Sequence, residues 1–535
     1  MSGPITVTMA RVVQTTQPAQ VITIGIARRL PRLAAALVVL LMLGLDSNAV
    51  AGKWTITPDI SVRETYTDNA SLVASPTEGT WITEITPGIH ILGGGARFKG
   101  NLDYRATGIV YSNSSAENRI ANYLSADATL EAIEKFFYVE AFGHIDQTYL
   151  SPFGPRPTNV STITANRTES RVYGISPYVL GRAGNAFSYQ LRYRYSYYET
   201  NNSALPYTQT SEWVGRAESP IGRFGWAFDY DDSTISYNKY NIGDQFARLY
   251  RAILYSQPDP TLRLNITGGW EENNYFALET RSNAIYGGGL SWKPTPLTSA
   301  DLQYEERFFG PSYLAKLQHR SRLTVWTLGY SRDVTTQQQS LLTLPPGNTA
   351  ALLDAIFTSS IPDPVERQAA VTQFLQSNGI PAFISGPISF YTLRPFLQER
   401  ADASVAILGK RSSVLLNAFH TVSEAFAATC TSAVPDAICP AQGAPLTQYG
   451  FGISGNRSIT GTTSLGASAT RTYAHQDEPV RTESRNDFID VHFTRTLSPK
   501  TNTFAGLSYT RFTTLAPTSS TSDARSVYAG LYHRF

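Results

Sequence analysis

Long apolar runs are nearly missing from this chain. Among its 535 residues only Leu33 to Leu45 is continuously apolar, about 13 residues where a membrane-spanning helix needs about 20. With a mean hydropathy of −0.19, the chain does not read as a helical membrane protein. Charge is also scarce: Asp, Glu, Lys and Arg make up 16% of residues, below the roughly 25% usual in soluble proteins. Cysteine is limited to Cys430 and Cys439. That is too few for a disulfide-built scaffold, and no His ligands stand beside them to make a metal site. In an oxidising compartment the two could close a loop disulfide.

Catalytic patterns are missing as well. The seven His are scattered, with no H-x-x-x-H or H-E-x-x-H pair. Gly452-Ile453-Ser454-Gly455 lacks the G-x-S-x-G form of a nucleophile elbow, and Gly93-Gly94-Gly95 opens no helix that could hold a phosphate. Asp231-Asp232 and Glu305-Glu306 would point to opposite faces of a strand, so neither pair shares a site. Asp68-Asn69 offers oxygen atoms to calcium, but Asp and Asn favour turns for backbone reasons. The chain is therefore read as a non-enzyme without cofactor or resident metal.

What remains is abundant Tyr (30 residues) and 12% aromatics in a mildly polar chain. A membrane β-barrel gives this composition, because lipid-facing and lumen-facing residues alternate and cancel in a hydropathy average. The start of the chain fits export. Arg28, Arg29 and Arg32 precede the short apolar run, and Ala49-Val50-Ala51 follows it, which is the layout of a signal peptide. Residues 1–51 are expected to be removed after Ala51, leaving 52–535 as the barrel; the long segment before Arg28 makes Met9 an alternative start. Cleavage takes away four Arg and one Asp, so the formal charge falls from +2 to −1, which gives nucleic-acid binding no support.

Period-two alternation recurs along the mature chain. From Phe187 to Tyr197, Phe187, Tyr189, Leu191, Tyr193, Tyr195 and Tyr197 share one face, and Ser188, Gln190, Arg192, Arg194 and Ser196 share the other. From Ala96 to Val110 the polar face is Arg97, Lys99, Asn101, Asp103, Arg105 and Thr107. Such lengths exceed the roughly 5–6 residues of soluble strands and match the roughly 9–11 of tilted membrane strands. Short turns such as Gly409-Lys410-Arg411 and Ser498-Pro499-Lys500 alternate with longer loops near 65–80, 150–167, 200–208, 334–388, 426–446 and 475–484. This predicts a single antiparallel up-and-down barrel of about 22 strands, with short periplasmic turns and long outer loops. The count becomes about 20 if Phe308-Phe309-Gly310 and His319-Arg320-Ser321 are bends rather than turns.

Two regions stand apart. Within 334–388, Ala350 to Phe357 reads as a short helix. A second can start at Asp363 as cap, with Pro364 and Glu366 behind it and Gly379 as its stop. Such a loop either folds into the lumen or decorates the outer rim. At the other end of the chain Val527, Ala529, Leu531, His533 and Phe535 lie on one strand face. This resembles the terminal aromatic signal read by the barrel-assembly machinery, with Val527, Leu531 and Phe535 as its apolar positions.

The lumen is expected to be polar and of mixed sign, with Arg97, Lys99, Asp103, Arg105, Arg192, Arg194, Arg263 and Asp490 facing it. A barrel of this size must be filled by water or by a plug.

Several short strings carry a family resemblance: Glu64-Thr65-Tyr66-Thr67-Asp68-Asn69, Ile85-Thr86-Pro87-Gly88-Ile89, Ser151-Pro152-Phe153-Gly154, Trp292-Lys293-Pro294, Phe309-Gly310-Pro311-Ser312-Tyr313, and Trp326 with Tyr330-Ser331-Arg332. In this order they resemble the outer-membrane β-barrel proteins associated with PEP-CTERM/exosortase and exopolysaccharide gene clusters. The resemblance implies an outer-membrane site and a link to polysaccharide export, with its export components as partners, or to surface-protein sorting, and it carries over no catalytic residue. Three functions follow in order of preference. The first is a channel or export component for polar solutes or surface polysaccharide. Next comes a non-conducting barrel whose loop aromatics, such as Tyr207 or Tyr275, bind surface polymer, and last a barrel enzyme. The expected partners are outer-membrane lipid and the assembly machinery.

Overall fold

The computed structural model describes residues 53–535 except 114–116, 221, 240–242, 276–279, stretches within 337–394, 427–444 and 478–479. The expected cleavage after Ala51, the cap at Asp363 and the Cys430/Cys439 pair lie outside the described residues.

The alternating segments form 22 strands. The first eight are β1 (Lys53–Thr67), β2 (Thr80–Gly94), β3 (Phe98–Tyr111), β4 (Arg119–Ile133), β5 (Phe137–Tyr149), β6 (Arg167–Ala183), β7 (Phe187–Thr200) and β8 (Thr208–Glu218). Then come β9 (Phe224–Tyr237), β10 (Gln245–Asp259), β11 (Leu262–Asn273), β12 (Arg281–Thr295), β13 (Thr298–Arg307), β14 (Gly310–Arg320) and β15 (Thr324–Thr335). The last seven are β16 (Phe396–Leu408), β17 (Ser412–Ala425), β18 (Leu446–Ser458), β19 (Thr463–Gln476), β20 (Thr482–Ser498), β21 (Thr501–Ala516) and β22 (Ser520–Arg534). Each strand pairs antiparallel with its sequence neighbours. The sheet closes where β1 meets β22, in register from Asp59↔Arg534 to Thr67↔Ser526. Closure leaves no unpaired edge, which a strand-built membrane span requires.

Both doubtful connections in 299–333 are real turns. Phe308-Phe309 joins β13 to β14, with Gly310 at φ +87° where a side chain would be strained. Residues 321–323 join β14 to β15, where Ser321 N–H donates to Thr324 O at 2.7 Å. The count is therefore 22. Two loop boundaries move slightly. β15 runs to Thr335 and β16 starts at Phe396, so that connection is 336–395, and Leu446 already belongs to β18.

Register fixes which side chains share a face. Val62 is opposite Ile85 and Leu531, and Tyr66 is opposite Trp81 and Val527; all six are large, exposed and on the outer wall. Following this parity around the barrel puts Trp54, Trp81, Trp213, Trp226, Trp270, Trp292 and Trp326, all seven tryptophans of the chain, on the outer face. Trp54, Trp226, Trp292 and Trp326 stand near the short-turn end, while Trp81 and Trp270 stand near the long-loop end. Ile56, Leu254, Ile266 and Leu507 lie exposed between them. Exposed aliphatic residues bounded by aromatic rings are stable only against hydrocarbon with an interface on each side.

Candidate functional site: the lumen

The opposite parity lines the interior. Arg192 and Arg194 on β7 face inward, in register with Tyr178 on β6 and Glu212 on β8. Arg192 bonds Glu140 of β5 through both terminal nitrogens and sits 4.0 Å above the Tyr178 ring. Arg194 meets Glu212 at 2.9 Å. Arg216 on β8 joins Asp229 and Glu218, each at 2.9 Å, and the Tyr255 hydroxyl at 3.1 Å. Further round, Arg251 pairs with Glu305 at 2.7 Å, and Arg307 bridges Glu271 at 2.8 Å and Asp333 at 2.7 Å. Arg263, also inward, lies over the Tyr255 ring at 4.0 Å.

Near the closure seam His90 stands between Asp59, at 2.9 Å, and Asp103, at 3.4 Å, while Arg105 takes the other oxygen of Asp103 at 2.7 Å. Lys99 shares this inward face of β3. Arg97 stands one residue before β3 and is exposed, with its carbonyl accepting from the Glu131 N–H at 2.7 Å. Asp490 on β20 accepts from the Tyr528 hydroxyl at 2.6 Å and contacts His492 at 2.7 Å. Val527, Leu531 and Phe535 point outward, at 48%, 40% and 62% exposure, into the apolar belt.

These inward charges form neighbouring pairs of opposite sign rather than a field of one sign. Most of their side chains keep partial exposure, and such a pair is worth about 0–1 kcal/mol; Arg307 with Glu271, at 11% and 2% side-chain exposure, is a buried exception. Their chemistry is that of a wetted wall that offers donors and acceptors to a passing polar molecule.

The wall from β15 to β17 is different, because it is covered. Thr349–Phe357 forms α1, one residue longer than the expected helix, and it is seated inside the barrel. Leu352 packs in one buried cluster with Val325, Ala406 and Leu415, and Ala355, Ile356, Phe374 and Leu375 close around it. Val325 is the second residue of β15 and Leu415 the fourth of β17, both at the short-turn end. A loop leaving the long-loop end thus descends about 30 Å of strand, at roughly 3.3 Å per residue. Arg320, the last residue of β14, holds it there by donating to the Ala355 carbonyl at 3.1 Å. A cation suits the C-terminal carbonyls of a helix. Residues 367–368, 370–371 and 374–375 are also helical, and Arg367 bonds back to Asp354 at 2.7 Å. Of the two alternatives, the lumen is the one realised for α1 and the residues packed with it.

Other loops turn inward too. Leu72, in the β1–β2 loop, packs on Phe512 and Ala524 of the inner wall. Asn69 is a turn residue: its side chain bonds Val73 and the Asp523 carbonyl, while Asp68 caps the Arg525 N–H at 2.7 Å. The β5–β6 loop, 150–166, lays Val160 and Ile163 against Ile82 and Ile109. It is tied by Ile163 N–H to Ala70 O at 2.8 Å, by Arg119 to Val160 O at 2.9 Å, and by Ser484 of β20 to Pro152 O at 3.4 Å. Within it Arg156 is buried, and no guanidinium nitrogen has a hydrogen-bond partner among the described residues. Burial pushes its pKa down to about 10. Tyr275, expected as a polymer-binding aromatic, is instead buried among Phe308 and Phe426. Tyr207 is half-buried, its ring 5.1 Å from that of Tyr197.

No family model and no curated protein matches the chain. Among solved structures it is similar to the siderophore receptor PirA from Acinetobacter baumannii, with 9% identity, a TM-score of 0.45, and coverage of 90% of this chain and 81% of that one. The ferric-catecholate import receptor Fiu from E. coli follows at 8%, 0.44, 90% and 82%. OccAB2 from Acinetobacter baumannii gives 10%, 0.33, 90% and 98%. The chain's own register and apolar outer wall decide its setting. It is a bacterial outer-membrane β-barrel. The short turns are then periplasmic and the long loops extracellular, so α1 is an extracellular-loop element seated near the periplasmic mouth.

Sequence alternation sufficed to orient Lys99, Asp103, Arg105, Arg192 and Arg194. It could not supply their partners. Glu140 and Arg192 are 52 positions apart and meet only because β5, β6 and β7 are consecutive in a closed sheet.

Proposed function

We propose that the barrel is a constricted channel for polar solutes, in which the inward-folded loop 336–395 narrows the passage and the charge-paired wall from β5 to β13 lines it. The carrying observation is the seat of Leu352 on Val325, Ala406 and Leu415: the loop covers one sector of the wall and leaves the charged sector half-exposed. The same reading extends to a surface polysaccharide as cargo, since hydroxyl-rich chains exchange hydrogen bonds readily with alternating carboxylates and guanidinium groups. The sequence resemblance to exopolysaccharide-associated barrels favours that setting. The test is single-channel conductance of the folded barrel in a planar bilayer, alone and with the 336–395 connection replaced by a short turn. Steady openings that grow on deletion are expected.

A second reading draws on the inward packing of 68–79 and 150–166. Together with α1 these loops could fill the lumen and leave a surface-binding barrel. A barrel with native heat-modified gel mobility that stays electrically silent in both forms would favour it.

A further inference from the structure

The periplasmic turns on one side of the barrel carry cations that no carboxylate answers. Lys410 and Arg411 occupy the turn from β16 to β17, and Arg457 is the penultimate residue of β18. Arg495 lies near the end of β20, and Lys500 stands just before β21. All five are exposed. Among the described residues none of these five side chains has a hydrogen bond or an ion pair.

The sequence leaves this side without acid. Residues 403–423, 446–476, 491–516 and 524–534 contain no Asp or Glu, so the periplasmic half of every strand from β16 to β22 is free of them, turns included. Asp402 and Asp490, the next carboxylates up β16 and β20, face the lumen. Setting the terminal carboxylate of Phe535 against the five cations still leaves an excess of four. On the opposite side the turns are mixed: Glu134 stands 3.5 Å from Lys135, Glu218 ends β8 and Asp259 ends β10.

The cations belong to one continuous edge. Ser458 N–H donates to Arg411 O, Thr496 N–H to Thr462 O and Arg534 N–H to Lys500 O, each at 2.8 Å, so neighbouring hairpins are tied turn to turn. Two of the cations point sideways. Arg457 is in register with Leu465, and Leu465 with Phe493, a row on the outer face; Arg495 is two residues below Phe493 on the same face. Leu465, Phe493 and Leu497 are exposed beside them, and Ile459 is exposed in the β18–β19 turn.

We propose that this edge binds anionic phospholipid of the inner leaflet, with headgroup phosphates on the five cations and acyl chains against Leu465, Phe493 and Leu497. Guanidinium and ammonium groups hold phosphate oxygens by charge-assisted hydrogen bonds. Cations directed along the wall, beside apolar residues, lie at the level of lipid headgroups. A protein docking from the periplasm would meet only the turn tips. A zwitterionic headgroup brings an ammonium that the same cations repel, so the edge selects net negative charge. The proposal needs the outer-membrane setting and not an open lumen.

The experiment is native mass spectrometry of the folded barrel, released from detergent holding equal amounts of phosphatidylglycerol and phosphatidylethanolamine with the same acyl chains. Wild type is expected to retain phosphatidylglycerol selectively, and excess inorganic phosphate should not displace it. Arg457→Gln/Arg495→Gln/Lys500→Gln should lower that retention on the order of a hundredfold, at roughly fivefold per cation near an anionic surface. Arg457→Lys/Arg495→Lys should keep most of it, and Lys135→Gln, on the mixed side, should leave it unchanged. Equal retention of the two lipids by wild type overturns the proposal without relying on any variant, and would leave the edge to an acidic periplasmic protein. Displacement by inorganic phosphate overturns it too, as does full retention by the triple glutamine variant with native gel mobility.

Discussion

Leu352 of α1 and Val325 of β15 share one buried cluster, although 26 residues and the full height of the barrel wall separate them along the chain. Such a contact can form only if the loop enters the lumen. Leu352→Asp removes a buried leucine and puts a carboxylate among Val325, Ala406 and Leu415. The change should cost about 3 kcal/mol or more of docking energy. Single-channel conductance of this variant should rise toward that of the loop-deleted barrel. Unchanged conductance, with native gel mobility, would mean that α1 does not restrict the passage.

Arg216 is the junction of an inward network, with Asp229, Glu218 and Tyr255 as its partners. Arg216→Gln leaves two carboxylates facing the lumen without their counter-charge. A low-dielectric wall focuses such a field. The cation-to-anion permeability ratio, read from the reversal potential in a salt gradient, should increase about twofold or more. A fall in that ratio would show that ions do not pass along this sector.

How far the sequence could be read follows from the range of each interaction. Alternation is local, so Tyr189 and Arg192 could be assigned to opposite faces from their neighbours alone. Punctuation is local too, and it located most turns within a residue or two. The seat of α1 lay beyond this reach. Its residues 350–357 suggest a helix, but nothing nearby in sequence says that Val325, Ala406 and Leu415 form an apolar island on the inner wall. That island is visible afterwards as inward positions occupied by Val, Ala and Leu, which is the signal a register-aware reading could have used.

The facing assignment can be tested at adjacent residues. Leu507 is outward, 63% exposed in the middle of β21, and Ser508 is inward, in register with Asp490 and Ser526. Leu507→Arg should weaken folding into bilayers by about 2–4 kcal/mol, the cost of a cation near mid-membrane. Ser508→Arg, beside Asp490, should cost less than about 1 kcal/mol. Comparable losses in a urea titration of folding into lipid vesicles would contradict the register.

Arg156 offers a stabilising substitution. Its guanidinium is buried in the 150–166 loop with no hydrogen-bond partner among the described residues, and desolvation lowers its pKa to about 10. The folded state therefore disfavours the charged form relative to the unfolded chain, by about 3 kcal/mol for a depression of this size. The penalty is present in full below the folded value and fades as pH climbs from about 10 toward the ordinary arginine range. Arg156→Met keeps the length of the side chain and removes the charge. It should raise the melting temperature at neutral pH, and its advantage should shrink above about pH 10. A lower melting temperature would mean that an anion is held at this guanidinium, because removing one member of a buried charge pair destabilises by about 3–5 kcal/mol.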